Sequence, residues 1–342
     1  MALLKSEIVT HPSADMTQTS SAGGRMNWQQ TIASGLVGYV VDDINLTEIT
    51  NGATRHYKLF QKIGNIANLT ARSSIIFLDF PLVGDVTSHL IKGNFTNTWA
   101  NVSANRKYGC GNLKTGTSLT AGTQTLTVTT RSASYVHFQN GDLITITDLL
   151  NDSDATGHRE SVTIDQAVSW SGNDATIHFS TPLKYSYADS RSLGGNTIKT
   201  RVASTMEYGD IVATATPQNK VSTNGTYNAS ALGVDHIATI TQTFTFTFTS
   251  ASAFTVTGDT LGTMPSGNIS STYSPNNSTF SRPYLTVPAT FWTGTWATGN
   301  TIQIATNPCA APYFIYLDIP AGTSPQTLET LYVMFSCNSG ST

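Results

Sequence analysis

The stretch Thr241-Gln-Thr-Phe-Thr-Phe-Thr-Phe-Thr-Ser250 decides the fold class. In an extended chain Phe244, Phe246 and Phe248 point one way, and Thr243, Thr245, Thr247 and Thr249 the other. A helix would scatter the three rings around its circumference. The period of two therefore reads as a strand with one apolar face and one hydroxyl face. Similar alternation recurs along the chain, separated by loops of Gly, Ser, Asn and Asp. The expectation is an all-β protein: a β-sandwich main domain with an inserted small β-barrel or sandwich module and an extended N-terminal arm.

Working outward, residues 1–30 are polar, lack periodicity and read as the arm, with Trp28 as its anchor. Residues 31–111 and 201–342 read as one discontinuous β-sandwich domain, and residues 112–200 as the inserted module. In the first part, Val37-Gly-Tyr-Val-Val41, Tyr57-Lys-Leu-Phe-Gln61 and Ser74-Ile-Ile-Phe-Leu-Asp-Phe80 are strand candidates. The last is a nearly continuous apolar run, as expected of a strand buried on both faces, and Pro81 stops it. In the module, strands are expected over 124–130, 142–148, 160–165 and 175–180, with turns at Asn140-Gly141, Gly157 and Ser171-Gly172. In the last part, strands are expected over 211–215, 237–249, 254–257, 301–305, 313–317 and 331–335. Residues 258–282 read as a long loop, a binding or contact element or a disordered one, and residues 324–331 have room for one short helical turn.

Only 11% of the 342 residues are charged and the net charge is −3, against about 25% charged in an average globular protein. Electrostatic nucleic-acid binding is therefore not expected. So few charges give strand edges little protection from association, which favours burial against other subunits. Lys5 and Glu7 interrupt the opening segment, so it does not read as a secretory signal. No run approaches the roughly 18 apolar residues of a membrane span. The three cysteines, Cys110, Cys309 and Cys337, are not a disulfide framework. Free thiols are the expectation, with Cys309 and Cys337 the one pair able to meet in a C-terminal sheet.

No chemical motif stands out. The seven histidines are scattered, and no Gly-x-Ser-x-Gly elbow accompanies them. His178 lies inside a strand pattern, where a sheet-face position is the default. Asp152-Ser-Asp-Ala-Thr-Gly157 matches the first half of a calcium loop, but Thr163 stands where the bidentate Glu belongs, and His158 and Glu160 do not repair it. Glu207, Asp210 and Asp235 supply carboxylates without a spacing that pairs them. Trp292 and Trp296 could form an aromatic platform for sugar; two core tryptophans near a turn is the reading favoured. Asn-x-Ser/Thr triplets such as Asn45-Leu-Thr47, Asn94-Phe-Thr96 and Asn268-Ile-Ser270 arise by chance in so Asn-, Ser- and Thr-rich a chain. No catalytic, cofactor or metal residue is assigned, and no enzyme activity is expected.

Two stretches carry a family resemblance. One is Met1-Ala-Leu-Leu-Lys-Ser-Glu7 with Ala22-Gly-Gly-Arg25. The other is Phe291-Trp-Thr-Gly-Thr-Trp-Ala-Thr-Gly-Asn-Thr-Ile-Gln-Ile-Ala-Thr306, followed by Asn307-Pro-Cys-Ala-Ala-Pro-Tyr313 and Ile319-Pro-Ala-Gly322. They resemble structural proteins of tailed bacteriophages, contractile-tailed ones in particular. Leu119-Thr-Ala-Gly122 and Asn140-Gly-Asp-Leu-Ile-Thr-Ile146 are similar to β modules inserted in such proteins. The resemblance implies a virion protein, made and assembled in the bacterial host cytoplasm. It implies many copies around a symmetric tail, neck or capsid. Because major capsid folds are expected to contain long helices and none stands out here, a part of the neck or collar, tail or baseplate is expected, with copies of itself and other phage structural proteins as partners. A capsid decoration protein and a receptor- or glycan-binding tail-tip or fibre protein are the alternatives; a depolymerase-type enzyme is a further one. Neither nucleic acid nor membrane is expected as a partner.

Overall fold

Two long strands, Ala53–Ile63 and Ala310–Ile319, pair antiparallel along their length and form the centre of a six-stranded sheet. Thr87–Lys92 and Lys107–Tyr108 extend it on one side, Ile8–Asp15 and Gly23–Met26 on the other. The computed structural model describes residues 3–32, 45–80, 86–131, 135–151, 153–324 and 331–340. The strand expected at 37–41 and the stop at Pro81 lie outside the described residues, as does most of the turn expected over 324–331.

The fold is all-β and antiparallel, with helices of only a few residues. One face of the six-stranded sheet carries Tyr57, Leu59 and Ile63. These share a core with Ile76, Phe77 and Met206 of a three-stranded sheet built from Met206–Ile211, Thr70–Phe80 and Tyr332–Gly340. The N-terminal segment, expected as an arm, docks on its own chain. His11 sits opposite Phe60, and Ile8 opposite Ile63. Period two is masked there because polar residues such as His11 and Ser13 are themselves buried.

The chain leaves this base twice, each time through two neighbouring strands. Cys110–Leu113 departs beside the returning Arg201–Ser204, with Cys110 opposite Ala203. Between them a seven-stranded sheet encloses its own core around Val128, Phe138, Ile146 and Ile177. Thr214–Val221 departs beside the returning Thr301–Asn307, with Thr214 opposite Asn307. The five-stranded sheet between them, completed by Gln242–Phe248, Ala253–Gly258 and Gly262–Asn268, packs a third core. Residues 201–342, read from sequence as one stretch of the main domain, thus contribute to two separate cores.

The deciding stretch behaves as its period dictates. Phe244, Phe246 and Phe248 are buried while the intervening threonines are half exposed. Residues 258–282, expected as a loop, contain the strand Gly262–Asn268, which pairs with Ala253–Gly258 and places Met264 opposite Val256. Pro265, Gly262 and Gly267 hide the alternation there. Trp28 does anchor its segment, packing against the third core with its ring 6.2 Å from that of Phe280.

Candidate functional site

The second face of the six-stranded sheet holds ionisable groups where apolar ones are the rule. Alternation along Ala53–Ile63 puts His56, Lys58, Phe60 and Lys62 on this face, and all four are buried. Antiparallel register builds rows across the sheet: His56 opposite Tyr316 opposite His89, and Lys58 opposite Phe314 opposite Ile91. The lid over the rows comes from elsewhere in the chain. Trp99 stacks on His56 at 4.4 Å and on Tyr316 at 5.2 Å. Gln18 makes two hydrogen bonds with the His56 backbone, and the Thr19 carbonyl lies 3.0 Å from His56 Nε2.

Lys58 is 1% exposed and pairs with no carboxylate among the described residues. Its Nζ donates to the carbonyls of Gly24 at 2.5 Å and Asn97 at 2.7 Å. Burial pulls its pKa down to about 7, because the low-dielectric interior penalises the charged form. A neutral amine has two N–H groups, which matches the two acceptors. Lys62 reaches across to the third core's module and donates to the Ile237 carbonyl at 2.6 Å. Burial brings it down to about 8. A lysine held near neutrality when folded takes up a proton on unfolding, so stability grows as pH rises from about 7 toward the ordinary value near 10.4 and is lost on the way down. Lys58→Met is expected to flatten the rise between pH 7 and 9, because the Lys62 share that remains is opposed by the buried thiols of Cys110 and Cys309, which resist ionisation in the fold. Urea midpoints at pH 7, 8 and 9 measure it; an undiminished slope would contradict the assignment.

At the edge of this face, His89 meets His137 of the inserted module, with His137 Nε2 and His89 Nδ1 2.8 Å apart. Both rings are buried. Burial, followed by the neighbouring charges of His137 and Lys107, pulls His89 down to about 2. Burial, followed by Arg106 and Lys107, pulls His137 down to about 4. Tyr135 lies over His89 at 4.2 Å and donates its hydroxyl to Asp318 at 2.6 Å. The histidines that look scattered in sequence therefore converge: strand register brings His56 and His89 into one row, and the module brings His137.

The other candidates serve local structure. Asp154 of the half calcium loop accepts from the amides of Leu150, Thr156 and Gly157 and pairs with Arg191. Asp152 lies outside the described residues. Glu160 accepts from the amides of Lys184 and Tyr185, and His158 stacks on Tyr185. Asp235 caps Ile237 and Ala238 and pairs with Arg282; Asp210 accepts from the Ser73 amide. His178 stands on its strand with Asp165 at 2.6 Å. Trp292 and Trp296 are 7% and 2% exposed, so they are core residues and offer no platform. The three cysteines are free thiols; burial pushes Cys110 and Cys309 up to about 12.

A cleft of about 380 Å³ separates the base from the third core's module, with Arg25, Phe95, Gln242 and Asn307 among its lining. Arg25 is spent on an ion pair with Asp259 across the cleft's edge. No family model, no curated protein and no solved structure matches this chain.

Proposed function

We propose that the chain is a non-enzymatic structural component of a tailed-phage virion, part of its neck, tail or baseplate, and that it works by assembling with copies of itself and with other virion proteins. The observation that carries this reading is the double insertion. Each added module joins the base through two neighbouring strands rather than one linker. Buried polar ties then cross each junction: Arg201 to Asp79 for one module, Lys62 to the Ile237 carbonyl for the other. Such an arrangement passes displacement of a module directly to the base, which suits a part that keeps neighbours in register. The strongly shifted lysines and histidines are buried by the fold, which fits a structural role for them. The virion itself is implied by the sequence resemblance.

The core positions of Trp292 and Trp296 remove the surface on which the glycan-binding alternative leaned. Light scattering over a concentration series tests the proposal. A discrete higher oligomer is expected. A strict monomer at all concentrations would overturn self-assembly and favour a decoration subunit that needs its host lattice. A tight trimer with saturable glycan binding would favour the tail-tip alternative. Deleting residues 1–25 is not a clean test of assembly, because Ile8–Asp15 and Gly24 are built into the base.

A further inference from the structure

We propose that the His89–His137 contact is an acid-sensitive latch, holding residues 135–137 of the inserted module on the base at neutral pH and releasing them when the imidazoles take up protons. The inference does not depend on what the chain assembles into.

The geometry is that of a joint. His89 belongs to the base strand Thr87–Lys92, and His137 to the module segment between Thr125–Thr129 and Leu143–Thr147. His137 seats over Gly109, where a β-carbon would stand 2.7 Å from its Nδ1. Phe138 beside it is sunk in the module's core, so the ring is the module's contact and not a loose side chain.

Proton counting gives the latch its direction. Two neutral imidazoles share two protons among four nitrogens, and one of those protons bridges the 2.8 Å contact. The two outer nitrogens, His89 Nε2 and His137 Nδ1, are buried and meet no hydrogen-bond partner among the described residues. A third proton falls on whichever outer nitrogen is bare, where no acceptor receives it. A fourth sets two N–H groups against each other. The surroundings resist both additions. Arg106 donates to the His137 carbonyl, and Lys107 lies over the rings of Tyr135 and Tyr316. The neighbouring carboxylates are engaged, Asp142 by Arg106 and Asp318 by Tyr135. On the sheet side the facing groups are Tyr316 and, beyond it, His56 under Trp99.

Once released, each imidazole returns to an ordinary value near 6.5. Between pH 7.5 and 5 each favours the open form by about thirtyfold, and both together by on the order of a thousandfold. Sign and window agree: a histidine whose folded value is depressed stabilises the closed form above about 6.5, and loses that contribution as pH falls toward its folded value.

Hydrogen exchange of the full chain, corrected for the intrinsic pH dependence, tests this. In the wild type, opening of residues 135–137 is expected to rise by on the order of a thousandfold from pH 7.5 to 5, while Phe138 and the strand Leu143–Thr147 stay protected. His137→Gln and His89→Gln should each reduce the rise to about thirtyfold or less. Gly109→Ala, which unseats the ring, should leave the segment open at both pH values. An unchanged opening in the wild type, or the full rise persisting in both glutamine variants, would overturn the latch. Loss of protection across the whole module at once would overturn it as well.

Discussion

Phe246→Ala is expected to unfold the module that spans residues 214–307 well before the rest of the molecule, at a cost of about 3–5 kcal/mol. Phe246 is fully buried. Its ring lies 5.2 Å from Phe254, 5.5 Å from Tyr273 and 5.6 Å from Trp292, each in an edge-to-face arrangement. The loss therefore combines transferred apolar area, an unfilled cavity and the aromatic pair contributions of about 0.5–1.5 kcal/mol each. Nothing nearby closes the hole cheaply. The strand is fixed by pairing on both sides, to Thr301–Asn307 and to Ala253–Gly258. The base and the other module have cores of their own, so they should melt close to their original temperatures. Differential scanning calorimetry should resolve an early transition that the wild type lacks. One transition shifted as a unit would mean that the three cores unfold together. A shift worth under about 1 kcal/mol would mean that the cavity collapses, which the packing argues against.

The same residues explain what could be read from sequence. Period two in Thr241 to Ser250 has one physical interpretation, and the burial follows it residue by residue. The strands of residues 112–200 were similarly legible, because Gln124 to Thr130 and Asp142 to Asp148 alternate cleanly between turn signals. Two things were not. Gly262–Asn268 is a strand whose Gly and Pro content reads as a loop; its place is set by pairing with Ala253–Gly258, a tertiary fact. In sequence the third core merges with the main domain, because its entry and exit strands, Thr214–Val221 and Thr301–Asn307, come together only by tertiary pairing between residues far apart in the chain. The candidate site was hidden for the same reason. His56, Lys58 and Lys62 sit at strand positions that read as solvent-facing. Cover from elsewhere in the chain buries them: Gln18, Gly24, Asn97 and Trp99 over His56 and Lys58, and Ile237 and Phe280 over Lys62. The one local hint is Phe60, an apolar ring on the same face as His56, Lys58 and Lys62.

Asp79→Ala is expected to cost about 3–5 kcal/mol and to loosen the first module from the base. Asp79 lies on Thr70–Phe80 and is 6% exposed. Arg201 Nε reaches its carboxylate at 3.2 Å, and Arg159 lies 3.6 Å away. Arg201 is 1% exposed and also donates to the carbonyls of Lys199 and Leu149, so its guanidinium is held in place whether or not the carboxylate is there. Removing Asp79 strips this counter-ion from a charge that stays buried, which is why breaking such a pair costs more than forming it gains. Two companions separate charge from packing. Asp79→Asn keeps the volume and an acceptor but loses the charge. Asp79→Leu with Arg201→Met removes both charges and should recover much of the stability, since buried ion pairs are often replaced by apolar residues without net loss. A thermodynamic cycle over these variants gives the coupling directly. If Asp79→Ala and the apolar double variant were equally unstable, the pair would be acting through shape alone. If Asp79→Ala were neutral, the base and module would be joined by their paired strands, Cys110–Leu113 and Arg201–Ser204, with the ion pair adding nothing.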